Sequence, residues 1–169
     1  GETAITAIGQ GYTQTTPIQL AIATAKLINR NNNLRPHLLK ESNTSDHMKS
    51  KVSDSKNINT DTDNLDLIKK GMSLVTKEGG TAAFISKNSS YNISAKTGTA
   101  QVFSLKKDEI YDESKLPDRL KDHALFIAFA PSENPQLVIA IIVENGGHGG
   151  STAGPIAKKV FDAYLNGIN

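Results

Sequence analysis

The sequence NISAKTGTAQVF, residues 92–103, has the composition of a β-strand but carries Lys96, Thr97 and Gly98 near its middle. Isoleucine, valine, phenylalanine and threonine suit a pleated, half-buried surface, whereas lysine and glycine inside a core strand are costly. Side chains alternate along a strand, so we expect Thr97 and Thr99 on one face and Lys96 and Gly98 on the other. Because one face cannot present all four residues, any site formed here should run along the edge of the strand.

Residues 96–99 have the chemistry needed to bind an acyl substrate that carries a carboxylate. A lysine ammonium and threonine hydroxyls can donate hydrogen bonds to a carboxylate, and backbone N–H groups of an edge strand can point at an acyl oxygen. Gly98 would let a substrate backbone lie close beside the strand. A half-exposed strand with ordinary polar side chains has the same composition, so composition leaves both interpretations open.

Two more strands and a helix are predicted downstream. HALFIAFA (123–130) and QLVIAIIVE (136–144) are short apolar runs, and the PSENP segment between them predicts an antiparallel hairpin. GGHGGSTAG (146–154) has the composition of a flexible loop, and PIAKKVFDAYL (155–165) predicts a last helix. One side of that helix is expected to carry Ile156, Val160 and Ala163, with Ala157, Phe161 and Leu165 beside them.

Two helices are predicted upstream. In TTPIQLAIATAKLINRN, Thr16 can cap the helix, Pro17 suits the first helical position and Gln19 completes a capping box. This helix is so apolar that we expect it to be buried on most sides. LDLIKKGMSLVTKEGG (65–80) predicts a second helix that ends at Gly79.

These elements define an α+β fold. Helices come first, a three-stranded antiparallel meander follows, and a C-terminal helix covers the meander. Between the two upstream helices, residues 41–64 consist of serine, asparagine, aspartate, threonine and lysine with almost nothing to bury. They predict a mobile polar insertion at the surface of one domain.

Composition and charge exclude several functional classes. The 19 lysines and arginines are scattered among 17 acidic residues, which gives a net charge of +2 and no basic stripe for nucleic acid. Without cysteine there are no disulfides and no thiolate chemistry. No run approaches the ~18 apolar residues of a membrane span. Neither a metal site nor a cofactor is predicted, because metal-ligand spacing is absent among His37, His47, His123 and His148.

Four segments together resemble the transpeptidase domain of class B penicillin-binding proteins, in particular the branch that serves rod-shape elongation. They are AIGQGYTQTTPIQLAIATAKLIN, SAKTGTAQVF, HALFIAFAPSENPQLVIAIIVENG and AGPIAKKVFDAYL, in the order found in the family. The resemblance implies the fold of penicillin-binding proteins and serine β-lactamases, incomplete here, with residues 1–169 as the C-terminal portion of the domain. It also implies a D,D-transpeptidase that cross-links peptidoglycan stem peptides and is acylated by β-lactams.

The family uses three motifs: Ser-x-x-Lys with the nucleophile, Ser-x-Asn, and Lys-Thr-Gly. By resemblance, Lys96 belongs to the third motif and contacts the serine of the second. Thr97, Gly98 and Thr99 would then form the strand that binds the D-Ala-D-Ala stem or a β-lactam, with the two hydroxyls on the terminal carboxylate. The Thr99 backbone N–H would be one half of the oxyanion hole. His148 lies in a loop that the fold would place near the cleft, which makes it a candidate substrate contact.

The nucleophilic serine of the family is expected upstream of this chain. The Ser-x-x-Lys matches are Ser53 with Lys56, in the polar insertion, and Ser104 with Lys107, after the Lys-Thr-Gly strand. The insertion around Ser53 has no apolar face to anchor a buried helix, and Ser104 comes in the wrong order for the family. Ser-x-Asn matches of the kind expected by chance occur at Ser86, Ser90 and Ser132. We therefore expect the chain to carry one motif of three and to be inactive alone.

The resemblance also implies a location and partners. The whole protein would be anchored in the inner membrane outside this chain, with its catalytic domain in the periplasm. It would work with the rod-shape elongation machinery, including a membrane glycosyltransferase. Since this chain supplies three of the five strands of the family sheet, both outer strands would lack neighbours, and the isolated chain should self-associate.

Two alternatives remain open at this stage. One keeps the fold but transfers the acyl group to water, as in a serine β-lactamase or a D,D-carboxypeptidase. The other is a non-catalytic module for penicillin sensing or protein interaction. The upstream sequence would distinguish these alternatives.

Overall fold

The computed structural model describes residues 2–7, 9, 11, 14–29, 34, 36–38, 62–102 and 116–167. The helices are α1 (Glu2–Ala7), α2 (Pro17–Asn29), α3 (Thr62–Leu74) and α4 (Gly149–Leu165), with short 3₁₀ helices at Ala83–Ser86 and Asp118–Leu120. The strands are β1 (Ser94–Ala100), β2 (His123–Ala130) and β3 (Leu137–Val143). Over these ranges, no helix has the length and apolar character required to cross a membrane.

The three strands form one antiparallel sheet in the order β1-β2-β3. Lys96 pairs with Ile127 and Thr97 with Phe126, while Leu125 pairs with Gly98 on one side and Ile142 on the other. The predicted meander and its hairpin are therefore confirmed. In the described part of the chain, β1 and β3 are the outer strands.

The helix α4 covers one face of the sheet and forms the larger core. Fully buried small and aromatic residues interlock there: Ala95, Ala124, Phe126, Ala128, Ala153, Ala157 and Phe161. Ile156 and Val160, which were expected on one side of this helix, are 42% and 43% exposed, so the side that faces the sheet is the one with Ala157 and Phe161. The small Ala153 and Ala157 allow the helix to lie close to β2, so they face the sheet instead of the larger branched residues.

The start of α4 also differs from the prediction. A loop was expected up to residue 154, with Pro155 as the first helical residue, but the helix begins at Gly149. Gly149, Gly150 and Gly154 are all buried. A long-range contact with the sheet therefore outweighs the poor helix propensity of glycine in this segment.

The other face of the sheet packs against α2 and α3 through a smaller cluster of Ile28, Met72 and Phe129. The predicted capping box of α2 is present: Thr16 N donates to Gln19 Oε1 at 2.8 Å, and Gln19 N donates to Thr16 Oγ1 at 3.3 Å. However, only three residues of α2 are buried, and Ile18 is 55% exposed. The expectation that α2 is buried on most sides is therefore wrong, because in the described part of the chain only the side that faces the sheet and α3 is covered.

The helix α3 extends further upstream than expected and ends earlier. It begins at Thr62, so residues 62–64 belong to the helix and not to the polar insertion, whose remainder lies outside the described residues. Asp63 in the first turn favours this start, because an acidic side chain is stabilised at a helix N-terminus. The helix ends at Leu74, and a turn continues to Ala82, whose N–H donates to Val75 O at 3.0 Å.

Candidate functional site

Strand β1 presents Lys96 and Thr97 on opposite faces of the sheet. Lys96 pairs with Ile127, whose side chain faces α2, whereas Thr97 pairs with Phe126, whose side chain is buried beneath α4. The side chain of Lys96 is exposed, and that of Thr97 is half-buried. As the strand alternation predicts, the Lys-Thr-Gly residues can act together only along the edge of β1.

Lys96 lies at an apolar cavity between the sheet, α2 and α3. Its ammonium donates to the carbonyl oxygen of Thr97 at 2.6 Å, which holds the charge next to the strand. The cavity has a volume of about 460 Å³ and is lined by Leu20, Ala23, Thr24, Leu27, Ile68, Gly71, Met72, Val75, Lys96 and Ile127. Lys96 is therefore the charged group of an otherwise mainly apolar surface.

The hydroxyl of Thr97 is held by Thr81, a residue that the sequence interpretation missed. The two Oγ1 atoms are 3.1 Å apart. Thr81 lies in the turn between α3 and the following 3₁₀ helix, just before the fully buried Ala82. The paired glycines of the EGGT segment indicate a tight turn, but no local pattern predicts that the turn reaches β1.

The first turn of α4 lies directly on the backbone of β1. A Cβ built on Gly149 would be 2.5 Å from Gly98 O and 2.1 Å from Leu125 O, and one built on Gly150 would be 2.5 Å from Thr81 O. Only glycine fits such a close approach of two backbones. The positive end of the α4 dipole therefore lies beside Gly98.

His148 occupies the N-cap position of α4, directly before Gly149. Its carbonyl accepts hydrogen bonds from Thr152 N at 3.1 Å and from Ser151 Oγ at 3.3 Å. The imidazole is exposed. Because Gly149 contacts Gly98, the chain position of His148 is close to the Lys-Thr-Gly strand, and its substrate contact stays a prediction.

The start of β1 is anchored to the turn that follows α3 and to the end of α4. Thr76 Oγ1, in a side chain that is 2% exposed, donates to Ile93 O at 2.5 Å. Tyr91 Oη donates to Asp162 Oδ1 at 2.6 Å, and Lys158 Nζ contacts both oxygens of Asp162 at 2.6 Å. These bonds fix the entry of the chain into the functional strand.

Charge and burial shift the pKa values in this anchor. The pKa of Asp162 lies below its ordinary value, chiefly because Lys158 donates to it and secondly because Tyr91 does. The pKa of Tyr91 is raised, first by burial and then by its hydrogen bond to Asp162. At neutral pH the group therefore consists of a carboxylate held by an ammonium and a neutral phenol.

The serines of the chance motif matches make their contacts away from Lys96. Ser90 Oγ donates to Asn166 Oδ1 at 3.2 Å, beyond the end of α4, and Ser94 Oγ donates to Ser132 Oγ at 2.8 Å. Within the described ranges, the buried Ser86 Oγ has no hydrogen-bond partner. Ser53, Lys56, Ser104 and Lys107 lie outside the described residues.

His123 begins β2 and makes a structural contact. Its Nδ1 accepts a hydrogen bond from the backbone N–H of Asn145 at 2.9 Å, and Asn145 donates through its side chain to Lys121 O at 2.9 Å. The hydrogen bond between His123 and Asn145 thus connects the start of β2 with the segment that follows β3. Among the described residues, no group of three or more histidine, cysteine or acidic side chains could hold a metal ion.

An edge strand with an ammonium on one face, a hydroxyl on the other and a helix N-terminus above it is suited to bind an extended acyl compound that carries an anion. The sequence profile described as the penicillin binding protein transpeptidase domain matches residues 1–162. The chain belongs to this family. It spans about a quarter of the length of the curated relatives that it matches (26% and 24% for the two described next).

Several known proteins are similar over nearly the whole chain. The peptidoglycan D,D-transpeptidase MrdA of Haemophilus influenzae is 41% identical over 98% of this chain and 26% of its own length. The protein of the same name from Acinetobacter baumannii is 39% identical over 98% of this chain and 24% of its own length.

Solved structures of family members agree with the fold. Pseudomonas aeruginosa PBP2, in complex with WCK 5153, has a TM-score of 0.73 and 41% identity, over 98% of this chain and 34% of that one. Helicobacter pylori PBP2, in complex with MreC, has a TM-score of 0.69 and 28% identity, over 99% of this chain and 28% of that one. The three-stranded sheet with its helices is therefore an incomplete transpeptidase fold of the penicillin-binding protein type.

Proposed function

We propose that this chain supplies the Lys-Thr-Gly part of the active site of a D,D-transpeptidase that cross-links peptidoglycan stem peptides. The observation that carries the proposal is the division of Lys96 and Thr97 between the two faces of an edge strand. One side of β1 then serves the reacting serine, and the other serves the substrate carboxylate. The MrdA name of the relatives supports this assignment.

In the proposed reaction, a serine Oγ attacks the carbonyl carbon between the last two D-alanines of a stem. The terminal D-alanine leaves as the free amine after gaining a proton, and an acyl-serine ester remains. The amine of a second stem then attacks the ester, forms the cross-linking amide and returns the proton to the serine. A β-lactam undergoes the same first step. The serine opens the C–N bond of the lactam ring, and the amine that would leave remains part of the acyl group bound to the serine.

Each residue of the strand has a proposed role in this scheme. Lys96 helps to hold the serine cluster in its reactive protonation state, while Thr97 and Thr99 donate from their hydroxyls to the substrate carboxylate. The N–H of Thr99 stabilises the developing oxyanion, which is commonly worth ~2.7–4 kcal/mol per donor. Gly98 leaves room for the substrate backbone, and His148 contacts the bound substrate.

The apolar cavity beside Lys96 supports a nucleophile that comes from another part of the whole protein. An open apolar surface is expected to be covered by a partner segment. A helix that carries the serine at its start would bury this surface and bring the hydroxyl to Lys96. On this proposal, residues 1–169 alone neither acylate nor cross-link.

Location and partners belong to the same proposal. The solved complex of Helicobacter pylori PBP2 with MreC supports association of the whole protein with rod-shape elongation proteins. A membrane glycosyltransferase is the further partner that we propose. An inner-membrane anchor outside this chain would hold the catalytic domain in the periplasm. The substrates there are D-Ala-D-Ala stem peptides, and β-lactams are the inhibitors.

The test is acylation by a fluorescent penicillin, read by intact mass, on this chain and on the whole protein. We expect the whole protein to be labelled and the chain alone to remain unlabelled. Lys96→Met should abolish labelling of the whole protein, whereas Lys159→Met, which removes an exposed lysine on α4, should not. Labelling of residues 1–169 alone would place the nucleophile in this chain.

A second measurement separates synthesis from the alternatives. Supplied with a stem peptide and an acceptor amine, a transpeptidase forms the new amide together with free D-alanine. A carboxypeptidase releases D-alanine without forming the amide. A β-lactamase, supplied with penicillin instead, releases hydrolysed penicillin. A protein that binds penicillin without forming a covalent adduct would instead be a sensing or interaction module.

A further inference from the structure

The side chain of Thr81 lies beside the hydroxyl that is expected to bind the substrate carboxylate. Thr81 Oγ1 and Thr97 Oγ1 are 3.1 Å apart, at hydrogen-bond distance, and either oxygen can be the donor. Neither hydroxyl is fully buried, since Thr81 is exposed and Thr97 half-buried. The pair is therefore accessible to a ligand that approaches the edge of β1.

The backbone of Thr81 is fixed on both sides. Gly80 N donates to Lys77 O at 2.9 Å, and Ala82 N donates to Val75 O at 3.0 Å. Ala82 is fully buried, and a Cβ on Gly80 would lie 2.2 Å from Val75 O. The Thr81 hydroxyl is thus presented to β1 by a turn with little freedom to move.

The first turn of α4 packs against both Thr81 and Thr97. A Cβ on Gly150 would lie 2.5 Å from Thr81 O and 3.5 Å from Thr97 Cγ2. Three segments that are distant in sequence therefore meet at the two threonines. The turn, the strand and the helix together set the separation of the two oxygens.

A hydroxyl has one proton to donate, so the direction of the bond between the threonines matters. If Thr97 donates to Thr81, its proton is not available to a ligand. If Thr81 donates to Thr97, the Thr97 proton is free to bind an anion, and the two bonds in series strengthen each other. A carboxylate selects the second arrangement more strongly than a neutral ester does, because hydrogen bonds to charged acceptors are stronger.

We propose that Thr81 is a positioning residue that selects substrates with a free carboxylate by donating its hydroxyl proton to Thr97. This inference rests on the proposed function, in which Thr97 binds the carboxylate of the stem peptide or of a β-lactam. Thr81 itself touches neither the reacting carbonyl nor the leaving amine. Its effect therefore acts on recognition and not on the acyl transfer.

The experiment compares benzylpenicillin with its methyl ester on the whole protein. The second-order rate constant of acylation is measured by intact mass for wild type, Thr81→Val and Thr81→Ser. We expect Thr81→Val to react about fivefold more slowly with the acid, which corresponds to ~1 kcal/mol. The ester, slow in every protein, should change by less than about twofold, and Thr81→Ser should restore the rate for the acid.

Ser132→Ala is the matched control, because it removes a hydroxyl pair of the same kind at the other end of β1, where Ser94 Oγ and Ser132 Oγ are 2.8 Å apart. It should leave the ratio of acid to ester rates unchanged. Thr81→Ala provides a second variant should the valine fail to fold, and it must show the same loss of selectivity.

The outcomes separate this inference from the function on which it rests. Equal losses for acid and ester, or a Thr81→Ser variant as slow as Thr81→Val, would overturn the role of Thr81 and leave the transpeptidase proposal standing. A wild-type protein that neither compound acylates would overturn the proposed function and this inference together. A rate that falls for the acid alone and returns with serine supports both.

Discussion

Replacing Gly149 by alanine tests whether the first turn of α4 sets the position of the functional strand. The new Cβ would lie 2.1 Å from Leu125 O and 2.5 Å from Gly98 O, and neither backbone atom can rotate away. Overpacking costs ~1–3 kcal/mol. Alanine regains ~1 kcal/mol over glycine only in a helix interior, and Gly149 is the first residue of α4. We therefore expect a net loss of about 2 kcal/mol.

The assay combines thermal unfolding with acylation by fluorescent penicillin in the whole protein. A loss of this size lowers the melting temperature by ~4–8 °C in a domain of about 150–250 residues and by less in a longer cooperative unit, so we expect a downward shift of a few degrees in the whole protein. The new Cβ would displace the backbone of Gly98 in the functional strand. Small displacements of reacting groups lower reaction rates strongly, so we expect acylation to fall by about tenfold or more. Lys159→Ala is the control, because it changes an exposed residue of the same helix. A Gly149→Ala protein as stable and as reactive as wild type would refute the reasoning.

Four further outcomes are expected. Tyr91→Phe removes the 2.6 Å bond to Asp162 and should cost ~1 kcal/mol in urea unfolding, so an unchanged midpoint would contradict the anchor. The pKa of Asp162 is lower in the folded than in the unfolded state. Its stabilisation should therefore be complete above the ordinary value of 3.8 and be lost as the pH falls through the lower folded pKa. In Asp162→Asn this part of the acid sensitivity should be missing. Thr76→Val leaves the Ile93 carbonyl without its hydroxyl donor and should cost ~1–3 kcal/mol, whereas Thr76→Ser should retain most of the stability. Residues 1–169 alone should self-associate through the outer strands, and light scattering that gives a compact monomer would show this to be wrong.

The sheet and α2 could be predicted from sequence because their signals are local. The apolar runs of β2 and β3 flank a turn segment, and the Thr16–Gln19 capping box forms within one helical turn. The start of α4 could not be predicted in this way. Its glycines have poor helix propensity, and the contact that stabilises them is made with β1, far away in the sequence.

The same distinction applies to the candidate site. Alternation along β1 correctly separates Lys96 from Thr97, since neighbouring side chains of a strand always point to opposite faces. The contribution of Thr81 depends instead on a turn that meets β1 in three dimensions. Serine motifs within the sequence were equally uninformative, because short polar patterns recur by chance while their contacts depend on the fold.

The pairing of Gly98 with Leu125 determines where the sequence can tolerate insertions and deletions. A Cβ on Gly98 would lie 3.2 Å from Leu125 Cβ, so the glycine is matched to one position of β2. A shift of the pairing register of β1 by one residue would place a side chain opposite Leu125. It would also move Lys96 to the face of the sheet now occupied by Thr97, and Thr97 to the face of Lys96. Insertions between the strands lengthen only a connection, and their entropic cost grows slowly. Deletion of a single residue within β1 would instead exchange the ammonium and the hydroxyl, so variation in length should accumulate outside the strand and not within it.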